Sequence, residues 1–194
     1  MKIKKLMSLL LCALCLTACA EFPPIKEPVP AEEQKVIAPP EGGWTAEEIM
    51  SVAYMDGVQL EYPLTLRSLG SGVILSTFSD NDGEKMYLLE DASDSTYFVP
   101  GTFYADVKFD NDISRITADD PIAYIGLYAD KCTVNGINTY SAPDDVVKAL
   151  GEPDLVTSSG EIQKIYSYND KESGETLMKA VFNGDKLLRI EIDL

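Results

Sequence analysis

Apolar and polar positions divide the chain into three stretches. Leu6 to Ala20 is an unbroken uncharged run, the chain from there to Gly43 holds few large apolar residues, and from Trp44 to Leu194 apolar positions return at short, regular spacing. In that last stretch Val146, Val147 and Leu150 follow helical spacing behind Pro143, Asp144 and Asp145, with Ser141 as candidate N-cap and Gly151 and Pro153 as the stop. A helix of about two turns is too short to stand alone in water, so its apolar side must dock on a sheet. Downstream, Ile162 to Tyr168, Leu177 to Phe182 and Leu187 to Ile192 read as strands. Met178, Ala180 and Phe182 alternate with Lys179 and Val181, and Leu188, Ile190 and Ile192 alternate with Arg189, Glu191 and Asp193, which predicts one apolar and one wet face. Asn183-Gly184 supplies the positive φ of a tight hairpin, favouring antiparallel order.

The first half of this stretch can be laid over the second. Asp56-Gly57 leads through Pro63, Leu64, Leu66 and Leu69 to Gly70, as Asn135-Gly136 leads through Pro143, Val146, Val147 and Leu150 to Gly151. Strand-like runs follow at Val73 to Phe78 and Met86 to Leu89, and Phe109-Asp110-Asn111-Asp112 with Arg115-Ile116 mirrors Phe182-Asn183-Gly184-Asp185 with Arg189-Ile190. The expectation is an α+β fold of two tandem units, 44–130 and 131–194, each a short helix packed on an antiparallel β-meander sheet. At its start, Thr45 and Glu48 form a capping-box pattern, and Val52, Tyr54, Asp56-Gly57, Val58, Leu60 and Tyr62 follow in hairpin spacing. A short helical turn and then a hairpin are expected there.

The two leading stretches carry an address. Lys2, Lys4 and Lys5 precede an uncharged run of fifteen residues, shorter than the about 20 that a membrane span needs. It ends in Leu16-Thr17-Ala18-Cys19, which resembles the bacterial lipobox. That resemblance implies a signal peptide over 1–18 and an acylated Cys19 as the mature N-terminus, anchored by lipid on the extracytoplasmic side of the cell membrane. Pro23, Pro24, Pro28, Pro30, Pro39 and Pro40 then mark 19–43 as a stiff Pro/Glu-rich tether, able to hold the domain up to roughly 70 Å from the lipid.

Charge and residue usage narrow the chemistry. Lys and Arg number 16 against 32 Asp and Glu, a net charge of -16, and loss of the signal with its three lysines leaves 13 bases and a charge of -19. Such a field repels phosphates, so nucleic acid is not an expected partner. The chain has no histidine, which removes Ser-His-Asp and Cys-His catalysis and His-ligated zinc. Cys12 and Cys15 leave with the signal and Cys19 takes lipid, so Cys132 cannot form an intrachain disulfide and reads as a small buried hydrophobe. Asp80-Asn81-Asp82-Gly83-Glu84 gathers oxygen ligands, but its glycine stands fourth rather than sixth and no glutamate stands twelfth. It reads as a turn, as do Asp91 to Asp94 and Asp110 to Asp112. Neither metal nor cofactor nor catalytic residues are expected, while the ten tyrosines and the single tryptophan could give a sheet an aromatic, acidic face.

Gly136 through Ser141 and Val146-Val147 to Leu150-Gly151-Glu152-Pro153, with Tyr166 and Tyr168 beyond, resembles a pattern of small envelope lipoproteins, including outer-membrane-assembly lipoproteins of the SmpA/OmlA type. The doubled version resembles the β-lactamase-inhibitor-protein-like fold, and Asp56-Gly57 through Tyr62-Pro63-Leu64-Thr65-Leu66 resembles uncharacterised lipoproteins of Gram-positive bacteria. The resemblance covers most of residues 50–194. It implies a non-catalytic binding or scaffold module that meets an envelope protein or glycan; no inhibitory loop matches. The alternative class is an acid-dependent hydrolase of wall or glycan material, since 32 acids guarantee close carboxylate pairs somewhere in the fold.

Overall fold

The computed structural model describes residues 27–81, 84–92, 103–110, 115–128, 132–159 and 163–194. The described residues hold three short α-helices, α1 (Ala46–Met50), α2 (Leu66–Leu69) and α3 (Pro143–Leu150), and the first two owe their starts to side-chain caps. Thr45 Oγ1 accepts the Glu48 N–H at 3.2 Å while Glu48 Oε2 accepts the Thr45 N–H at 2.9 Å. Thr65 and Ser68 exchange the same pair of bonds at 3.0 Å each. In α3 the N-cap is Ala142 rather than Ser141, because Pro143 forces the residue before it into the extended region and so fixes where the helix begins. Asp145 Oδ2 accepts the Ala142 N–H at 3.0 Å, and Ser141 Oγ serves the turn instead, accepting from the Asn138 N–H.

The strands in chain order are β1 (Ala53–Met55), β2 (Val58–Gln59), β3 (Val73–Asn81), β4 (Glu84–Asp91), β5 (Phe103–Phe109), β6 (Ile122–Leu127), β7 (Cys132–Val134), β8 (Leu155–Ser159), β9 (Gln163–Asn169), β10 (Thr176–Asn183) and β11 (Lys186–Asp193). They form a small sheet, β2-β1-β7, and a large one, β3-β4-β5-β6-β11-β10-β9-β8, antiparallel at every pairing. The α+β class, mostly antiparallel with few helices, is therefore the one expected. In the large sheet β3 to β6 come from 73–127 and β8 to β11 from 155–193, and the two sets meet where β6 pairs with β11.

Register explains why one face became the core. Leu75, Leu89, Ala105, Leu127, Ile190, Ala180, Tyr166 and Val156 follow one another in line across all eight strands. A second row runs through Tyr87, Val107, Ile125, Ile192, Met178 and Tyr168. Most of these side chains share one buried cluster with Ile49 and Met50 of α1, Leu69 of α2, Val146 and Leu150 of α3, and Ala53, Met55, Cys132 and Val134 of the small sheet. Helices and small sheet thus cover a single face of the large sheet. Arg115 and Ile116 lie between β5 and β6 rather than on a strand, so they do not match Arg189 and Ile190, which sit on β11.

The stretch read as free tether to Gly43 lies against the domain from Pro28 onward. The Val29 N–H donates to the Gly57 carbonyl at 2.8 Å and the Lys35 N–H to the Tyr54 hydroxyl at 2.9 Å. Thr133 Oγ1 donates to Gln34 Oε1 at 2.6 Å, and Asn135 bonds both backbone groups of Ile37. Gly57 has φ +77, and a Cβ there would stand 2.9 Å from both the Pro28 Cβ and the Val29 carbonyl, so the turn must be glycine for the strap to approach. Prolines remove donors but keep the chain extended, which is the shape a strap along a sheet needs. What the composition conceals is that the amides of Val29, Lys35 and Ile37 find acceptors on the domain.

Candidate functional site

The opposite face of the large sheet carries other residue types. Leu88, Asp106, Gly126, Glu191, Lys179, Ser167 and Leu155 stand in register from β4 to β8. Lys108, Tyr124 and Asp193 form the row on one side, and Arg189 pairs with Val181 on the other. The site lies at the centre of the sheet, where β5, β6 and β11 meet.

Asp106 is its focus. It is 2% exposed, and neither carboxylate oxygen has a partner at good hydrogen-bond geometry, its own backbone N–H and the Tyr128 hydroxyl acting on it only as weaker, poorly placed donors. A Cβ on Gly126 would lie 2.0 Å from Asp106 Oδ1 and 2.9 Å from the Tyr124 hydroxyl, so glycine at this point of β6 leaves the hollow in which the carboxyl rests. Burial pushes the Asp106 pKa up, and the pull of its own backbone N–H, of Arg189 and of the nearby Tyr128 hydroxyl does not cancel that push. The two tyrosines respond alike. Burial first, then the charge of Asp106, raises Tyr128 to about 12 and raises Tyr124 further, so both keep their hydroxyl protons.

Around this carboxyl the charges are mixed. Arg189 Nη1 donates to the Tyr128 hydroxyl at 3.3 Å, and its guanidinium stands 5.5 Å from the centre of that ring. Its Nε bonds Glu191 Oε1 at 2.6 Å and its Nη2 lies 2.5 Å from the same oxygen. Lys108 Nζ sits 4.9 Å from the Tyr124 ring centre, in cation–π range. Lys179 Nζ reaches Glu191 at 4.0 Å, and burial raises the Asp193 pKa. Tyrosine hydroxyls and a guanidinium with spare donors can exchange hydrogen bonds with a polar partner and offer it two aromatic rings, over a carboxyl that is itself buried.

The residues singled out from sequence fall elsewhere. Cys19 lies outside the described residues, as do Asp82, Gly83, Asp94 and Asp112. Cys132 is 4% exposed and its thiol donates to the Tyr104 carbonyl at 3.5 Å, the place of a structural core cysteine. Asp91 accepts from the Tyr104 hydroxyl, and Asp110 is exposed at the end of β5. Among the described residues no group of three or more acids or cysteines could hold a metal ion. Sequence reasoning missed Asp106, Tyr124 and Tyr128. Asp106 falls on the wet parity of β5 like any solvated acid; the available signal was Gly126 between Tyr124 and Tyr128, since a glycine inside a strand marks a close approach.

Comparison of the chain with protein-family models, with curated proteins and with solved structures returns no match. No helix among the described residues is long and apolar enough to cross a membrane.

Proposed function

We propose that this chain is a lipid-anchored extracytoplasmic binding module of the cell envelope, non-catalytic, which takes a protein or glycan partner on the polar face of its large sheet. The observation that carries the reading is Tyr124, Tyr128 and Arg189 gathered around the buried Asp106. Tyrosine and arginine supply much of the energy of protein interfaces, and here they surround the buried carboxyl at the centre of the sheet. Arg189, Lys108 and Lys179 also make this part of a strongly acidic chain less repulsive to an acidic partner.

Two like units support the same reading. The strand order runs outward from the β6–β11 pair as two four-stranded meanders. Asp56 and Asn135 share φ +49, Gly57 and Gly136 have φ +77 and +82, and Gly70 and Gly151, which close α2 and α3, have φ +79 and +92. Equal backbone conformations at turn and helix end in both halves are what duplication of one pattern leaves behind, and β1 and β7, the strands before the two turns, pair with each other. The anchor rests on Leu16-Thr17-Ala18-Cys19, and a Cys19→Ala protein is expected to leave the membrane fraction; retention there would refute it.

Binding is tested by capturing partners with the wild type, Tyr128→Ala, Arg189→Glu and, as control on the exposed side of α3, Lys148→Glu. Loss in the first two variants with retention in the control is expected; equal capture by all four would remove the polar face from the account. The raised pKa of Asp106 near Glu191 favours one second reading, an acid-dependent hydrolase in which Asp106 donates the proton. Turnover of wall or glycan material lost in both Asp106→Asn and Glu191→Gln would replace the binding reading with that one.

A further inference from the structure

A cavity of about 540 Å³ opens between the end of the strap, the turn from α3 to β8 and the turn from β9 to β10. Its size falls within the about 300–1,000 Å³ of small-molecule pockets. Pro39 and Pro40 of the strap, Glu152 and Asp154 of the first turn and Tyr168 of β9 stand in its wall. The two acids are exposed, whereas Tyr168 is 3% exposed and its hydroxyl has no hydrogen-bond partner among the described residues. A buried hydroxyl left unpaired costs free energy, and one in the wall of a cavity is paired when a guest brings the missing group.

Neighbouring donors in the wall are already engaged. The Trp44 indole N–H goes to the Leu150 carbonyl, the Lys171 ammonium to Glu48 and the Asn169 N–H to Asp154. Burial first, then Tyr166 and the charges of Glu152 and Asp154, holds the Tyr168 pKa well above the ordinary phenol range, so its hydrogen stays available to donate. A guest group that meets both this hydroxyl and a carboxylate of the wall has to accept one hydrogen and donate another. An ammonium has no lone pair to accept with, and an anion is repelled by Glu152, Asp154 and Asp170. A neutral hydroxyl does both through one atom. We propose that this cavity binds a neutral sugar unit, one hydroxyl of which accepts from Tyr168 and donates to Glu152 or Asp154. Further hydroxyls on the same ring match the remaining carboxylate oxygens, and its C–H face lies against the rings of Pro39 and Pro40. A simple alcohol supplies only the first of these contacts.

The test titrates the full chain with D-glucose, D-galactose and D-mannose, and with D-glucuronate and n-propanol for comparison, each read by saturation-transfer NMR at neutral pH. At least one neutral sugar is expected to bind in the millimolar range, and at least about tenfold tighter than glucuronate or propanol. Tyr168→Phe lowers that affinity about tenfold or more. Because the lost hydroxyl has no partner within the fold, the same variant unfolds at no lower denaturant concentration than the wild type. Arg189→Glu, on the opposite face of the large sheet, leaves sugar affinity unchanged, which separates this site from the polar face. Binding of none of the three sugars at tens of millimolar, equal binding of glucuronate or propanol, unchanged affinity in Tyr168→Phe, or as large a loss in Arg189→Glu would overturn the proposal.

Discussion

Asn135 grips Ile37 by both of its backbone groups, accepting the Ile37 N–H on Oδ1 at 2.8 Å and donating from Nδ2 to the Ile37 carbonyl at 2.9 Å. The same nitrogen donates to the Ala149 carbonyl at 2.6 Å, the end of α3. One buried amide thus joins the strap, β7 and α3. Its φ of +49 suits asparagine, and Asn135→Gly keeps that conformation while deleting the three bonds. At about 1 kcal/mol per bond the variant should lose about 3 kcal/mol of stability. Amide exchange at Val29 and Ile37 should rise with it; unchanged protection would show that the strap is held by something else.

The docked strap also sets reach. If Cys19 carries the proposed lipid, the eight residues between it and Pro28 make nine steps that at about 3.1 Å each reach at most about 28 Å, against the roughly 70 Å of a free tether to Gly43. Energy transfer from Trp44 to acceptors on vesicles carrying the lipidated protein should report the shorter height, and Asn135→Gly should increase it. A height independent of Asn135 would contradict the strap's role.

Asp106 gives a signed pH dependence. Its folded-state pKa is raised, so the folded state holds the proton more tightly than the unfolded chain. The stabilisation is full below the ordinary carboxylate pKa and is lost as pH rises through the folded value. Denaturant titrations of wild type and Asp106→Asn should diverge across that window, with the variant gaining relative stability toward neutral pH. Glu48 works in the opposite sense, its pKa lowered chiefly by the Lys171 bond, so its contribution is lost as pH falls. Its exposure keeps that term under about 1 kcal/mol.

Trp44 is 1% exposed and donates its indole N–H to the Leu150 carbonyl at 2.8 Å. Trp44→Phe keeps most of the apolar contact but leaves a carbonyl at the end of α3 without its donor, at a cost of about 1–3 kcal/mol. Equilibrium unfolding followed by circular dichroism measures it; a neutral result would mean that water replaces the indole.

Local pattern carried much of the fold. Alternation in Leu177 to Phe182 and Leu187 to Ile192 located β10 and β11, Asn183-Gly184 their hairpin, and Thr45 with Glu48 the start of α1. A register shift beside Val181, however, leaves Leu188 exposed and puts Leu187 in the core in its place, and Val181 is buried rather than wet. What stayed hidden depends on partners distant in sequence. Joining of the two strand sets through Leu127 and Ile190, 63 residues apart, leaves no local mark, because both are ordinary core residues. The strap was hidden for a related reason: Gln34, Lys35 and Ile37 are anchored by Thr133, Tyr54 and Asn135, and a proline-rich composition says nothing about such acceptors. Asp106 became distinctive only when register set it across from Gly126.

The polar sheet face is tested most directly by photo-crosslinking in the native organism, with the reactive residue at Lys179, on that face, or at exposed Tyr140, near α3. A discrete product from position 179 that disappears in Arg189→Glu, with none from position 140, is the predicted result. The same products from both positions, indifferent to Arg189, would contradict the account.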